Sequence, residues 1–264
     1  MVLILFSDLY ISGIKLQKNA ADVDNYVFSL PVIKNLGQLD LSKKVTFFVG
    51  ENGTGKSTLL EAIAVNMGFN PEGGTRNFNF ASNETHSQLY KFLTVVKGVK
   101  RPKDGFFLRA ESFYNVATEV DRLKKISLAS HLFGEAAVPT DLDNSFLIDY
   151  GGKSLHNQSH GESFMSLVLN KFKGNSLFIL DEPEAALSPT RQLSLLVKIN
   201  ELVKQNCQFI IATHSPILLA YPNSDIYVLN DNEITLTTYE ATEHYTLTKQ
   251  FLNNTEKMLN YLFE

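Results

Sequence analysis

The sequence predicts an α/β fold in which a mainly parallel sheet is flanked by helices. In the second half of the chain, apolar strand-like runs alternate with segments of helical periodicity, the order of elements typical of parallel sheets. Earlier, the β-rich run at residues 45–49 leads directly into a glycine-rich loop and a helix-like segment at residues 59–64. Residues 1–49 are mostly β-like, and we expect an N-terminal antiparallel β portion there.

The other elements follow from composition and periodicity. From residue 68 to 83 the composition shifts to Gly, Asn, Pro and Ser, which marks a boundary. We therefore expect residues 68–157 to form an inserted, partly helical subdomain within a single domain that spans residues 1–264. A helix at residues 246–263 places its apolar residues on one face, and we expect it to dock on the core. Further strands are predicted at 106–110, 176–180, 208–212 and as a pair within 225–238, and further helices at 113–133, 164–172 and 188–204.

Composition and charge limit the possible function classes. A chain of 264 residues that is 44% hydrophobic can bury one substantial core. Its net charge of −4 argues against general electrostatic adhesion to nucleic acid or membranes. The single cysteine, Cys207, excludes an internal disulfide, and no run approaches the roughly 20 apolar residues of a membrane span. We therefore expect a soluble, cytoplasmic protein that does not insert directly into a membrane.

Residues 50–58 read GENGTGKST and match the phosphate-binding pattern G-x-x-x-x-G-K-[ST] in full. Glycines let the backbone turn tightly so that its N–H groups point at phosphate oxygens, and the following helix adds its positive N-terminal end. Lys56 supplies a point charge for the β- and γ-phosphates, and the Ser57 hydroxyl is placed to bind Mg²⁺. The strand–loop–helix context argues against a chance turn and predicts that the chain binds a nucleoside triphosphate. The residues expected to contact it are Asn52, Gly53, Thr54, Gly55, Lys56, Ser57 and Thr58.

Two carboxylates, Asp181 and Glu182, follow directly on the apolar run at residues 177–180. At a strand tip beside a phosphate loop, Asp181 would help to hold Mg²⁺, and Glu182 would polarise the attacking water as a general base. The alternative is a capped turn into the next helix, since Asp-Glu-Pro suits a helix start. That alternative explains Pro183 but leaves two acids on a buried strand unexplained.

About 20 residues before the acid pair, the segment QSHGES at residues 158–163 opens a helix and resembles the signature segment of the ATP-binding-cassette (ABC) class. Ser159 matches the serine of that segment and Gly161 its second glycine, whereas His160 replaces the first glycine. Glu162 stands where most transporters have glutamine and looks more like the chromosome-maintenance and DNA-repair branch. Through residues 47–53, 108–113, 181–189 and 243–254, the chain also resembles a family of small stand-alone bacterial ATPases that carry an AAA label.

The same resemblance assigns further positions. His214, in the segment ATHSP after another apolar run, is similar to the switch histidine that touches the γ-phosphate. Ser188 stands where the class usually has the aspartate of its D-loop. The Q-loop glutamine has no clear counterpart, so Glu111 is the candidate for a metal or water contact and Gln88 is the alternative.

The resemblance implies an enzyme that binds ATP and Mg²⁺ and hydrolyses ATP to ADP and phosphate, with Glu182 and His214 as catalytic residues. Two subunits would hold two nucleotides between them as an ATP-dependent dimer, with Ser159 and Gly161 of one chain completing the site of the other. The output would go to an unknown protein partner in genome maintenance or phage defence. Two alternatives are the ATP-binding subunit of a transporter and a non-catalytic nucleotide-binding module, although the latter would not need Glu182.

A basic cluster at residues 97–103 interrupts this acidic chain. The expected explanation is a solvated face, and the alternative is contact with the phosphate backbone of nucleic acid, which would be steeply salt-dependent. The cluster consists of Lys97, Lys100, Arg101 and Lys103, and Arg122, Lys124 and Lys125 follow further along the chain.

Overall fold

The computed structural model of the protein describes residues 8–17, 26–75, 87–109, 160–230 and 233–264. No helix within these ranges is long and apolar enough to cross a membrane. The strands are β1 (Ile11–Leu16), β2 (Gln38–Asp40), β3 (Val45–Gly50), β4 (Leu93–Lys97), β5 (Asp104–Leu108), β6 (Ser176–Asp181), β7 (Gln208–Ala212), β8 (Asp225–Leu229) and β9 (Ile234–Thr237). The α-helices are α1 (Pro31–Asn35), α2 (Lys56–Asn66), α3 (His160–Lys171), α4 (Pro189–Lys204), α5 (Pro216–Leu219), α6 (Glu243–Asn253) and α7 (Thr255–Phe263), and short 3₁₀ helices lie at Tyr26–Ser29, Gln88–Lys91, Pro183–Ala186 and Tyr239–Ala241.

The larger of two sheets has six strands in the order β5-β6-β7-β3-β8-β9. Its first five strands run parallel, and β9 returns antiparallel to β8. The smaller sheet, in the order β2-β1-β4, is antiparallel. This architecture confirms the predicted parallel α/β fold with an N-terminal antiparallel portion.

Both faces of the larger sheet are buried, which explains why its strands are continuous apolar runs. Along β3, Phe47 faces an apolar layer that contains residues of α3 and α4, whereas Phe48 faces a layer that contains residues of α1, α2 and the smaller sheet. In the first layer, the ring of Phe178 stacks on Phe172 and Phe209 at centroid distances of 4.1 and 4.9 Å. Because the sheet is packed on both faces, the positions of its strand ends are fixed.

One buried side chain ties the two sheets together. Gln208, at the start of β7, accepts hydrogen bonds from the backbone N–H groups of Tyr10 and Ile11 at 2.8 and 2.9 Å. Its amide nitrogen donates to the Ile11 carbonyl at 2.7 Å. Because an unpaired buried amide is costly, these bonds fix where the smaller sheet lies on the larger one.

The segment predicted as an inserted subdomain, residues 68–157, is β-rich where it is described. Strand β4 pairs with β1 in the smaller sheet, and β5 pairs in parallel with β6 in the larger sheet. The two strands of this segment thus belong to the two sheets. The helical part of the prediction concerns residues 110–157, which lie outside the described residues and include the helix predicted at 113–133.

The C-terminal region differs from the single helix predicted at residues 246–263. It consists of α6 and α7, which meet at Asn254, where the backbone (φ −139°, ψ 39°) leaves the helical region. No residue of either helix is buried, and Leu252 and Phe263 are 69% and 81% exposed. The predicted single helix is thus interrupted at Asn254, and its apolar periodicity leaves residues that are at most half-buried.

Candidate functional site

Three neighbouring strands, β6, β7 and β3, end at the same edge of the larger sheet because they are parallel. The phosphate loop follows β3, the acid pair lies at the end of β6, and His214 follows β7. The strand order thus brings together three motifs that the sequence analysis found in separate parts of the chain.

The phosphate loop, residues 50–57, turns through left-handed backbone conformations that glycine adopts without strain. Gly53 and Gly55 have φ of +85° and +102°, and a side chain on Gly55 would also come within 3.3 Å of Leu30. Helix α2 begins at Lys56, within the last residues of this motif, so its N-terminal N–H groups belong to the loop. Of the residues predicted to contact nucleotide, Asn52, Gly53 and Ser57 are exposed, Gly55 and Thr58 are half-buried, and Thr54 and Lys56 are buried.

Lys56 spans the mouth of this loop. Its Nζ donates to the carbonyl oxygens of Gly50 and Glu51 at 2.7 and 2.9 Å. Burial lowers the pKa of the Lys56 ammonium, whereas the carboxylates of Glu182 and Asp181 oppose that shift. The ammonium therefore lies between the loop and the acid pair, within reach of phosphates that the loop would hold.

Asp181 and Ser57 face each other at this edge. The Ser57 hydroxyl donates to Asp181 Oδ1 at 3.2 Å. Burial raises the pKa of Asp181 to about 6, although the hydrogen bond from Ser57 lowers it in part. Two adjacent hard oxygen donors fit Mg²⁺, which usually takes one or two protein ligands and completes its octahedron with phosphate oxygens and water.

Glu182 has a strained backbone directly after β6. Its φ of 46° and ψ of 54° are left-handed, which is costly for a residue other than glycine. Its N–H donates to the Ala212 carbonyl at 2.9 Å, while its side chain makes no capping hydrogen bond to the following 3₁₀ helix. Glu182 precedes a 3₁₀ helix that begins at Pro183, as the capped-turn alternative expects, but its side chain does not cap that helix and remains 35% exposed.

His214 lies opposite Glu182 across the ends of β6 and β7. Its Nε2 is 3.6 Å from Glu182 Oε1, and its Nδ1 is 3.3 Å from Nε2 of His244. The backbone N–H of His214 donates to Glu184 Oε1 at 2.6 Å, and burial raises the pKa of that carboxyl group. Burial and the positive charge of Lys56 lower the pKa of His214, which favours the neutral imidazole.

Glu184 and His244 were missed as site residues by the sequence analysis. Glu184 follows the acid pair by two positions, so the acidic run itself was a usable signal. His244 lies in an ordinary amphipathic segment, and nothing local in the sequence links it to His214. Only the tertiary fold brings these two histidines together.

The signature segment is described from His160, where α3 begins, and Ser159 lies outside the described residues. Gly161 lies so close to the segment after the acid pair that a side chain there would clash with the Ala186 carbonyl. Glu162 forms an ion pair with Arg191 of α4 at 3.2 Å. The first turn of α3 is thus joined to the segment after the acid pair. The roles predicted for Ser159 and Gly161 in the site of a partner subunit stay predictions.

Neither of the two residues predicted for the Q-loop position is placed at the site within the described residues. Glu111 lies outside the described residues, so its metal contact stays a prediction, and Gln88 is exposed at the start of a 3₁₀ helix. A residue nearer the acid pair is Arg109, which follows β5 and donates to Glu61 Oε2 at 2.9 Å. The charge of Arg109 also acts to lower the pKa of Asp181, against the effect of burial.

The basic cluster makes contacts within the chain. Lys97 Nζ donates to the Asn66 carbonyl at 3.1 Å, and Lys100 forms an exposed ion pair with Asp8. Arg101 and Lys103 are exposed. These observations agree with the solvated face that we expected for this cluster.

Residues 28–261 of the chain match the sequence profile of a protein family described as AAA domain. The chain is 30% identical over 216 residues to "Probable ATP-dependent transporter ycf16" of Antithamnion sp., a match that covers 76% of this chain and 84% of that protein. It is 27% identical over 242 residues to "Cobalt import ATP-binding protein CbiO" of Salmonella paratyphi A, covering 84% and 83% of the two chains. The solved structure of cbiO1 from Clostridium perfringens, part of the ABC transporter complex cbiONQ, has 17% identity and a TM-score of 0.46, covering 97% of this chain and 99% of that one.

The family match covers most of the chain, and both relatives match it over most of their own length. Within the matched region lie the phosphate loop, the acid pair and His214, which meet at one edge of the sheet. The chain therefore belongs to the AAA domain family and is a small ABC-type ATPase.

Proposed function

We propose that this ATPase works as an ATP-dependent homodimer whose closing on ATP and opening after hydrolysis drive a partner protein. The observation that carries the proposal is a set of complementary groups at one sheet edge. These groups are a lysine at the phosphate loop, a hydroxyl hydrogen-bonded to a carboxylate, and a second carboxylate beside a histidine. The residues are Lys56, Ser57, Asp181, Glu182 and His214.

In this proposal Glu182 is the general base of hydrolysis. A water oxygen attacks the γ-phosphorus, its proton passes to the Glu182 carboxylate, and the bond to the β–γ bridging oxygen breaks to leave ADP and phosphate. Lys56 stabilises the charge on the phosphates, and His214 holds the γ-phosphate in line from the side opposite the loop. The half-buried carboxylate and strained backbone of Glu182 support this role, because strain at such a position is typical of functional sites.

Ser57 and Asp181 would hold Mg²⁺. When bound there, Mg²⁺ would neutralise the negative charge that develops on the phosphates during hydrolysis. The burial that raises the pKa of Asp181 supports this assignment, because a carboxylate that is costly to ionise alone is stabilised by a neighbouring cation.

The dimer follows from the signature segment. Ser159 and Gly161 of one subunit would contact the γ-phosphate bound by the other, so that ATP joins the two chains and its hydrolysis releases them. The ion pair between Glu162 and Arg191 supports this arrangement, because it couples the start of α3 to the segment that follows Glu182. Loss of the γ-phosphate would then shift the population from closed to open dimers.

Light scattering on the Glu182→Gln variant tests the dimer. With Mg-ATP, this variant is expected to be mostly dimeric, and adding Ser159→Arg should return it to monomer. Ser194→Arg, which introduces the same side chain at an exposed position of α4, is the matched control and should leave the dimer intact. A dimer that forms without ATP and survives Ser159→Arg would contradict the proposal.

The names of the relatives favour a membrane transporter as the partner, so the ATP-binding subunit of a transporter is the preferred form of this proposal. The second candidate is a soluble switch in genome maintenance or phage defence, favoured by glutamate at position 162 where most transporters have glutamine. The basic cluster adds little to that second candidate, because Lys97 and Lys100 already have partners within the chain.

Cross-linking in native cells separates the two candidates. The ATP-locked Glu182→Gln variant, with Lys56→Ala as the control that should not close, is cross-linked and its covalent partners are identified by mass spectrometry. A multi-spanning membrane protein captured only by the locked form supports the transporter subunit. A soluble nuclease or DNA captured in its place supports the second candidate and contradicts the first.

A further inference from the structure

His244 approaches the proposed site from the C-terminal region of the chain, away from the phosphate loop and the acid pair. It is the second residue of α6, and its Nε2 lies 3.3 Å from Nδ1 of His214. The opposite nitrogen of His214, Nε2, is buried, has no hydrogen-bond partner within the described residues and lies 3.6 Å from Glu182 Oε1. The three side chains therefore form a row, with His214 between His244 and the proposed base.

The start of α6 is anchored, so this contact is not made by a loose terminus. The buried Thr242 accepts a hydrogen bond from the Tyr245 N–H at 3.3 Å and caps the helix. Thr242 also donates to the Tyr239 carbonyl at 2.7 Å, and the Tyr239 hydroxyl donates to the Pro216 carbonyl at 2.9 Å. Pro216 is two residues after His214, so the backbone that carries each histidine is tied to the other.

The contact between two imidazoles requires one donor and one acceptor, because two neutral rings cannot both donate or both accept across it. If His214 accepts at Nδ1, its proton is on Nε2, which then points an N–H toward the Glu182 carboxylate. If His214 donates at Nδ1, the lone pair of Nε2 faces that carboxylate oxygen at 3.6 Å, which is repulsive. Electrostatics therefore select His244 as the donor and the Nε2-protonated tautomer for His214.

Both rings are in surroundings that favour neutral imidazole. Burial lowers the pKa of His244, and the neighbouring His214 lowers it further. Burial and Lys56 lower the pKa of His214, while Glu182 and Glu51 oppose that shift. A neutral ring has one N–H to place, so its tautomer decides which nitrogen can serve as a donor.

We propose that His244 is a positioning residue: its Nε2–H holds His214 in the Nε2-protonated tautomer, so that His214 can donate to the γ-phosphate of ATP beside Glu182. This inference rests on the proposed catalytic site. It links α6 to the reaction. A movement of the helix start would break the hydrogen bond to His214 Nδ1, and His214 could then adopt the Nδ1-protonated tautomer.

The first test reads the tautomer directly and needs no hydrolysis. Long-range ¹H–¹⁵N NMR on ATP-free, histidine-labelled protein distinguishes the two tautomers, and His214→Gln identifies the His214 signals among the six histidines. Wild type should show His214 protonated at Nε2. His244→Leu, which removes the donor, should lose that preference, whereas His244→Gln, whose amide nitrogen can occupy the place of Nε2, should keep it.

The second test is kinetic. His244→Leu is expected to lower kcat about tenfold to a hundredfold, the range for a misplaced catalytic group, with little change in the KM for ATP. His244→Gln should recover most of that loss, and His244→Phe is a second variant without the donor in case the leucine variant folds poorly. Tyr245→Phe, which removes a hydroxyl that contacts Lys249 and not the site, is the matched control and should match wild type.

Any of several results would overturn the proposal: His214 protonated at Nδ1 in wild type, a tautomer that is unchanged in His244→Leu, or His244→Gln as slow as His244→Leu. A correct tautomer with unchanged kcat in His244→Leu would also overturn it. The proposed function is judged separately, by ATP hydrolysis and ATP-dependent dimerisation of the Glu182→Gln and Ser159→Arg variants, whatever the histidine variants do.

Discussion

The C-terminal helices and the edge of the larger sheet that carries the proposed catalytic residues, called the catalytic edge below, are built in opposite ways. At the edge, strands buried on both faces fix Asp181 and His214 through the backbone. Helices α6 and α7 have no buried residue, and Leu252 and Phe263 stay exposed. The two regions nonetheless meet where His244 contacts His214. A sheet packed on both faces thus sets the geometry of the site, while a helix that is anchored at its start and exposed beyond it adds one contact to that site.

The largest contrast between these regions should be in stability. Phe178→Ala removes a fully buried ring that stacks on two others in the sheet and is expected to lower the free energy of unfolding by about 3–5 kcal/mol. Leu252→Ala, on the exposed face of α6, should change it by less than about 0.5 kcal/mol. Urea unfolding followed by circular dichroism measures both. Similar losses for both variants would mean that the C-terminal helices are as much a part of the core as the sheet.

Ionisation at the catalytic edge should oppose folding when ATP and metal are absent. The pKa of Asp181 rises from 3.8 to about 6 on burial, so the folded state binds the proton more tightly than the unfolded state. Stability from this group is therefore present below pH 4 and lost as the pH rises toward and past 6. Asp181→Asn removes that cost and should stabilise the protein at pH 8, by up to about 3 kcal/mol at about 1.4 kcal/mol per pKa unit.

Thermal melts of the two proteins in EDTA, at several pH values between 4 and 8, check this expectation. The gain from Asp181→Asn should shrink as the pH falls and vanish near pH 4. Mg-ATP should raise the Tm of wild type much more than that of the variant. A gain that is independent of pH would show that burial of the charge is not its cause.

The sequence was informative wherever chemistry and backbone geometry are both local. The phosphate loop specifies its own turn through Gly53 and Gly55, and the apolar runs before it and before Asp181 are recognisable as strands buried on both faces. Since the carboxyl ends of neighbouring parallel strands lie at one edge, the meeting of Lys56, Ser57 and Asp181 follows from those runs. The family resemblance then supplied a role for His214.

The sequence was silent where contacts depend on distant pairing. Nothing near β4 shows that it pairs with β1, because strand pairing across many residues leaves no local pattern. The apolar stripe of residues 246–263 predicted a buried face, but the break at Asn254 and the exposure of both helices depend on what the rest of the fold leaves uncovered. His244 was missed for the same reason, since its neighbour is 30 residues away.

The most direct test of the catalytic edge is to separate ATP binding from hydrolysis with two variants. Isothermal titration and phosphate release are measured for wild type, Glu182→Gln and Lys56→Ala. We expect Glu182→Gln to bind ATP as tightly as wild type and to lose at least the roughly 10²-fold in turnover typical of a missing general base. Lys56→Ala should instead lose ATP binding itself. Equal loss of binding in both variants, or rapid hydrolysis by Glu182→Gln, would contradict the assignment of roles at this edge.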